Sequence, residues 1–350
     1  MPLRGIVAEI LRHGGSESSE ADLVSRHLVD ANLAGHDSHG VGMVPKYIED
    51  LQADLVRPNT RAAIVKDDGA LLIFDGGRGY GRPVAQEAMA AGLVRCAQTG
   101  IVLLALRRSH HLGRIGAYGE QSIAAGLVSI HFVNVTDHLP LVAPFGGRDA
   151  RFSTNPICIA VPGTHSTEPL LLDMATSRIA FGKVKVAYNA GRQVPGGSLI
   201  DANGEPTDDP GAMFTEPRGA LLPVGEHKGY GLALMCELLG GLLTGGGTMQ
   251  PDNPRLGGIL NHMLTVIIDP DRLVDRTWLA AELDAMIAFV KSSRPSSSDG
   301  SVLVAGDPER LMRDRRQREG IPINGTTWSE IVDAAAKVGI AREQVESMRA

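Results

Sequence analysis

The sequence predicts an α/β protein with at least two lobes, and three observations predict it. From about residue 70 onward, short apolar runs alternate with longer stretches of helical periodicity. Pro and Gly recur around the central runs, which breaks the chain into short elements. The chain has 350 residues and is 43% apolar, enough to bury more than one core.

The elements follow in order. Ser19-Glu20-Ala21-Asp22 reads as a capping box with Ser19 as the N-cap. Leu23, His27, Leu28, Ala31 and Ala34 continue a helical face, which Gly35 ends. A polar turn, His36-Asp37-Ser38-His39-Gly40, precedes a helix over 44–55. Leu71 to Phe74 is a strand entering a Gly-rich turn, and 82–98 is helical. Strands are expected over 101–106, 127–133, 155–161, 170–173 and 263–268. Helices are expected over 115–125, 177–187, 228–243, 278–291 and from Asp307 onward. The Ser-rich stretch 291–300 is a surface loop or linker.

Composition excludes several classes. Lys plus Arg is 34 and Asp plus Glu is 40, a net charge of −6, so the basic footprint of nucleic-acid binding is missing. Charged residues are 21%, ordinary for a globular chain. The start, Met1 to Leu11, is too short and too interrupted by charge for a signal peptide. The longest apolar stretch, Gly229 to Leu243, is Gly-rich and falls short of a membrane span. Cys96, Cys158 and Cys236 are odd in number and far apart, and read as buried reduced thiols of a cytoplasmic protein.

The obvious dinucleotide signature fails. Gly77-Arg78-Gly79-Tyr80-Gly81 sits between a strand and a helix, but Arg82 occupies the place of the third glycine in GxGxxG. No acidic residue follows at the expected strand end, so this is read as a turn.

Other clusters carry protonatable groups. Asp37-Ser38-His39-Gly40 packs them into a turn after a helix end, a pattern that suits a functional loop and equally a capping turn. Ser109-His110-His111-Leu112-Gly113-Arg114 follows an apolar strand and opens a helix. A His there has the pKa for proton transfer near neutrality, and adjacent His side chains diverge, so at most one of the pair faces a site, the alternative being a surface pair. Asp173-Met174-Ala175-Thr176-Ser177 ends a buried strand, where a carboxylate could bind a ribose hydroxyl or cap a helix. Lys228 and Gly229 stand at another helix start, and Lys228 suits a phosphate or hydroxyl. His36, His39, His110, His111, His131 and His138 lack any closed ligand spacing such as HExxH, so no metal is expected. A metal-dependent lyase or hydrolase is the alternative from another class.

Taken together and in this order, these segments resemble the malate/L-lactate dehydrogenase family, over about residues 17–340. The likeness rests on Asp37-Ser38-His39-Gly40-Val41, Ser109-x-His111-x-Gly113, Ala143-Pro144-Phe145-Gly146-Gly147 and Thr154-Asn155-Pro156. It continues through Asp173 to Ser177, Phe181-Gly182-Lys183, His227-Lys228-Gly229-Tyr230, Gly306-Asp307-Pro308-Glu309 and Gly320-Ile321-Pro322. Gly42-Met43-Val44-Pro45 and the residues from Ser109 to Gly116 are most similar to the hydroxycarboxylate dehydrogenase B (hydroxyphenylpyruvate reductase) type.

The resemblance implies a non-Rossmann, sulfolactate dehydrogenase-like fold. A helical substrate and dimerisation domain, 1–70 with 260–350, would hold an inserted mixed-sheet domain, 71–259, for NAD or NADP. It implies a homodimer acting on a small molecule, with no nucleic acid or membrane partner. It makes His111 the proton acceptor in alcohol oxidation, with Ser38 and His39 holding or polarising substrate. Ala117, Tyr118 and Gly119, Asp173 to Ser177, Lys228, Gly229, Asn261 and Gly306 to Glu309 would line the cofactor. Many members carry Arg where this chain has Met43, so Arg114 is the candidate partner for a substrate carboxylate. Met43 instead suits a bulkier apolar group and points to an aromatic or broad-range 2-oxo acid. Malate, L-lactate or a cyclic imino acid are the alternatives within the family.

Overall fold

The computed structural model describes residues 2–297 and 300–349. Ser298 and Asp299, inside the predicted Ser-rich linker, lie outside the described residues. The elements are α1 (Pro2–His13), α2 (Ser18–Leu33), α3 (Val44–Gln52), β1 (Ala63–Asp68), β2 (Leu71–Asp75), α4 (Gly81–Thr99) and β3 (Ile101–Ser109). Next come α5 (Gly116–Ala124), β4 (Val128–Thr136), β5 (Ile157–Val161), β6 (Leu170–Met174), α6 (Phe181–Asn189), β7 (Leu199–Ile200), β8 (Pro206–Thr207) and β9 (Ala220–Leu221). The chain closes with α7 (His227–Cys236), β10 (Leu260–Ile268), α8 (Arg276–Lys291), α9 (Asp307–Glu319), α10 (Gly325–Lys337) and α11 (Arg342–Arg349).

Two main cores organise these elements. In the first, α1 buries Ile6, Val7, Ile10 and Leu11, an i, i+1, i+4, i+5 stripe that makes the start of the chain part of the fold. That stripe joins Leu28 of α2, Val44 and Ile48 of α3, and Ile331 and Ala335 of α10. Each fully buried Ile or Leu contributes about 1.5–3 kcal/mol.

The second core belongs to a seven-stranded sheet in the order β1-β2-β3-β10-β4-β5-β6. Only β2 and β3 pair in parallel, joined by α4 as the crossover. β10 lies antiparallel to both β3 and β4 and fills the centre of the sheet. The sheet therefore takes in β1, before residue 71, and β10, after residue 259, so it extends past both expected domain boundaries. α4 presses closely on the sheet: a Cβ at Gly92 would stand 2.8 Å from side-chain carbons of both Ile267 and Leu104. A small sheet, β8-β7-β9, has its own core around Val142, Val184, Leu199 and Leu221.

Three sequence expectations are corrected. The N-cap of α2 is Glu17, not Ser19, and Asp22 turns out to face Arg12 at 3.2 Å. The helix expected from Ser177 starts at Phe181, because Ser177 forms a bridge with Pro223 and its hydroxyl donates to Ile179 O. The helix expected over 228–243 is α-helical only to Cys236, and Glu237–Leu242 widens into a π-helix. Glu237 is buried there and accepts from Met249 N, Asn134 and Asn155.

The Gly-rich turn has a structural purpose. A Cβ at Gly81 would sit 2.1 Å from His111 O, and one at Gly76 would sit 2.9 Å from Ser109 Cα. His110 N donates to Gly79 O at 3.0 Å. The glycines let this turn lie directly against the backbone that carries the two histidines, as close approach requires.

Candidate active site

The polar turn and the two-histidine segment come from different parts of the fold and meet. Asp37–His39 forms one turn of 3-10 helix after α2. Arg316 of α9 grips Asp37 with both terminal nitrogens, at 2.6 and 2.9 Å, in a two-pronged pair. Asn32 adds a donor to Asp37 at 2.6 Å, and its Oδ1 accepts from Val41 N at 2.8 Å. The Asp37 carboxylate thus anchors the turn over a long range instead of capping it locally. Gly40 is required here, since a Cβ would stand 2.2 Å from Asn32 Oδ1.

His111 is fixed from below by the end of the sheet. Leu112 N donates to Asn261 Oδ1 at 2.8 Å, and Asn261 Nδ2 donates to Asn134 O. Leu112 O accepts from the Tyr118 hydroxyl at 2.7 Å and lies 3.1 Å from His27 Nε2. Gly113 has φ of 70°, and a Cβ there would strike His27 Nε2 at 2.2 Å, so only glycine fits the bend.

These supports bring His39 Nδ1 to 3.2 Å from His111 Nε2, with the rings stacked at 5.3 Å between centroids. His111 Nδ1 faces the Tyr47 hydroxyl at 2.9 Å. His111 is 8% exposed and His39 is half-buried. Burial first, and then His39 beside it, hold the His111 imidazole well below its usual pKa. Burial likewise takes His39 down to about 4. Both rings are therefore neutral near pH 7, and one of the two can accept a proton from a bound hydroxyl.

His110 has other partners: it is fully buried, with Nε2 2.9 Å from Asp50 Oδ2. His131 is taken up by Ser129 and Thr265, and His36 faces Glu309 at 3.3 Å. Among the described residues, no three His, Cys, Asp or Glu side chains converge as a metal site would need. The three cysteines are free and buried, and no helix among the described residues is long and apolar enough to cross a membrane.

The expected cofactor segments adjoin one another. Asp173 Oδ2 accepts from Gly116 N at the start of α5, at 2.7 Å. Burial pushes the Asp173 carboxyl up from its usual value, against the pull of His36 and Arg114. Val224 N, in the loop before Lys228, donates to Thr176 O, and Leu171 N donates to Ala305 O beside Gly306. Lys228 is exposed, and a Cβ at Gly229 would meet Val224 O at 1.6 Å. Gly306, at φ of 94°, caps α9 ahead of Asp307, Pro308 and Glu309. Ala117 and Gly119 pack in α5, where a Cβ on Gly119 would press on Leu171 and Ala160. Ser38 backs onto α6, since a Cβ at Gly182 would come within 2.7 Å of its Cβ.

Several expected residues also make contacts within the fold. Arg114 is 2% exposed and bound to Glu120 at 2.8 Å, with Asp173 at 3.7 Å. Its Nε and a terminal nitrogen lack hydrogen-bond partners, so donors remain for a bound group. Met43 is packed against the helical core. Asn261 and Tyr118 are spent on holding Leu112. Tyr47, Asp50, Asn32 and Arg316 were not foreseen as parts of the site. The one local signal was the spacing of Tyr47 and Asp50 on one face of α3.

A buried, neutral imidazole pair can take a proton from a bound group and return it. The malate/L-lactate dehydrogenase family model matches residues 2–332. Hydroxycarboxylate dehydrogenase B of Escherichia coli O157:H7 is 47% identical over 347 residues, covering 99% of this chain and 95% of that protein. The L-lactate dehydrogenase of Cupriavidus necator is 41% identical, with 97% of each covered. Among solved structures, the sulfolactate dehydrogenase of Methanocaldococcus jannaschii superposes with a TM-score of 0.83 at 29% identity, over 98% of this chain and 97% of that one. The chain belongs to the malate/L-lactate dehydrogenase family, and with it to the oxidoreductases that act on 2-hydroxycarboxylates. The family implies a nicotinamide cofactor. Asp173 beside the start of α5 and the exposed Lys228 give a carboxylate and an ammonium that fit the hydroxyl and phosphate oxygens of such a group.

Buried neutral histidines set an acid limit on stability. The unfolded chain takes these protons near pH 6.5, whereas the folded chain takes them only near 4 at His39 and near 3 at His27 and His131. The depressed folded pKa values mean that stability is full above pH 6.5 and declines as the pH falls through 6.5 toward 3. Urea midpoints measured from pH 8 to pH 4 should be level at first and then drop steadily below 6.5. A midpoint constant down to pH 4.5 would contradict the burial of these rings.

Proposed function

We propose that the protein moves a hydride between a nicotinamide cofactor, NAD or NADP, and C2 of a 2-oxo or 2-hydroxy acid, with His111 as the proton carrier. The observation that carries this reading is the buried His39–His111 pair, neutral at working pH and open to a ligand on the His39 side. In the oxidative direction the substrate O–H bond breaks and an Nε2–H bond forms on His111, while the C2–H bond gives up its electron pair. The bound nicotinamide supplies or receives that hydride. His39 and Ser38 hold the oxygen whose charge changes.

Within this class we favour a compact acid of the lactate or malate kind over an aromatic one. Met43, the residue that pointed to an aromatic group, is packed against the helical core. The relatives named for their substrates, L-lactate and sulfolactate, act on compact acids. The unpaired nitrogens of Arg114 are the donors we assign to an anionic group.

We also propose a homodimer. No side chain of α8 is buried, and Trp278, Met286 and Phe289 on it are 57%, 53% and 73% exposed. A second copy of the chain would cover that apolar surface. Light scattering of the full-length protein should give twice the chain mass, and a single-chain mass would contradict this.

For the reaction, a panel of aliphatic, dicarboxylic and aromatic 2-oxo acids with each reduced cofactor should show fastest turnover on the compact acids. A preference for the aromatic acids would overturn the substrate assignment. His111→Gln should lose about 10²–10⁴ in kcat while still binding reduced cofactor, followed by its fluorescence. Near wild-type turnover would overturn the role of His111.

A further inference from the structure

The helix after the polar turn carries a tyrosine that touches the proton-carrying ring. Tyr47 of α3 is 2% exposed, and its hydroxyl lies 2.9 Å from His111 Nδ1. Its ring stands edge-on to His111 at 75° and to His110 at 74°, and beside Tyr80 at 5.6 Å. His110 is itself held. Its Nε2 meets Asp50 Oδ2 at 2.9 Å, and Asp50 Oδ1 faces Lys46 Nζ at 2.8 Å. His110 and Asp50 are 0% and 1% exposed.

We infer that Tyr47 is a positioning residue for His111, and that the buried Asp50–His110 pair holds the Tyr47 ring in place. The inference rests on the proton role proposed for His111. A ring that takes a proton at Nε2 must carry its own N–H on Nδ1. Tyr47 Oη is the acceptor at that atom. Nε2 is then left with its lone pair, which accepts from His39 Nδ1–H when no substrate is bound. A carboxylate in the place of Tyr47 would also fix this tautomer, but its charge would stabilise the imidazolium and retain the proton. A phenol orients the ring without adding a charge. Burial raises the Tyr47 hydroxyl well above its usual pKa, so it stays neutral.

Asp50–His110 explains why the phenol stays in line. The edge contact with His110 fixes the Tyr47 ring on one side, and Tyr80 fixes it on the other. Without Asp50, His110 would lose its one hydrogen bond, since its Nδ1 already has none.

The test is a histidine 15N–1H correlation spectrum of the full-length protein, with kinetics on two variants. Wild-type His111 should show the proton on Nδ1. Tyr47→Phe should give a mixture of tautomers and lower kcat about tenfold or more, with KM for the 2-oxo acid within about threefold of wild type. Asp50→Ala should shift the same tautomer signal in the same direction, to a smaller extent. A wild-type His111 protonated on Nε2 overturns the proposal without reference to either variant. So does a Tyr47→Phe protein that keeps both tautomer and kcat, and an unmoved signal in Asp50→Ala overturns the part assigned to Asp50–His110. The spectrum needs no turnover. If no 2-oxo acid is reduced, the dehydrogenase reading fails while the tautomer still decides this one.

Discussion

The 3.2 Å contact between His39 and His111 is the constraint on which the rest of the site depends. Two imidazoles from segments 72 residues apart must stay aligned, neutral and nearly dry. Desolvation serves the last two together, because burial disfavours the imidazolium and keeps both rings neutral near pH 7. Alignment needs separate supports, because a hydrogen bond between two neutral rings contributes only about 1 kcal/mol. The structure supplies them on each side. Arg316 and Asn32 hold the turn that carries His39, and Asn261, Tyr118 and His27 hold the backbone that follows His111.

Those supports come from both large cores. His39 follows α2, whose buried face belongs to the helical core, and His111 follows β3, whose buried face belongs to the sheet. The meeting point is made close by glycine. At Gly81 and Gly113 the space for a Cβ is filled by His111 O and by His27. The apparent remnant of a dinucleotide fingerprint is therefore a packing device for the histidine segment. The missing third glycine is no defect, since Arg82 instead lies over the Tyr118 ring at 5.3 Å.

Much of this was legible in the sequence. Apolar runs bounded by Gly and Pro marked β2 to β6 and β10, most plainly β10, which is buried along nearly its whole length. β1 was not legible, as Ala63–Asp68 is exposed throughout and half charged. α1 was not assigned either, since its buried stripe was weighed only as a targeting segment. The collinear motifs led to the family and to His39 and His111. They did not lead to Tyr47, Asp50 or Arg316, whose roles lie in pairings across the fold. Arg316 sits in a run of charges on α9 that reads as a solvated face, yet its side chain is 11% exposed and grips Asp37. Arg114 shows the reverse case. Its position suggested a substrate contact, and the structure commits one edge of it to Glu120 while leaving donors unused.

In the reaction proposed for this site, a hydride passes to C2 of a 2-oxo acid while His111 supplies the proton. The most direct measurement is isotope transfer from nicotinamide cofactor reduced with deuterium at C4, with the product analysed by mass spectrometry. One deuterium is expected at C2 of the 2-hydroxy acid. A product without deuterium at C2, or no 2-hydroxy acid from any 2-oxo acid with either cofactor, would contradict it.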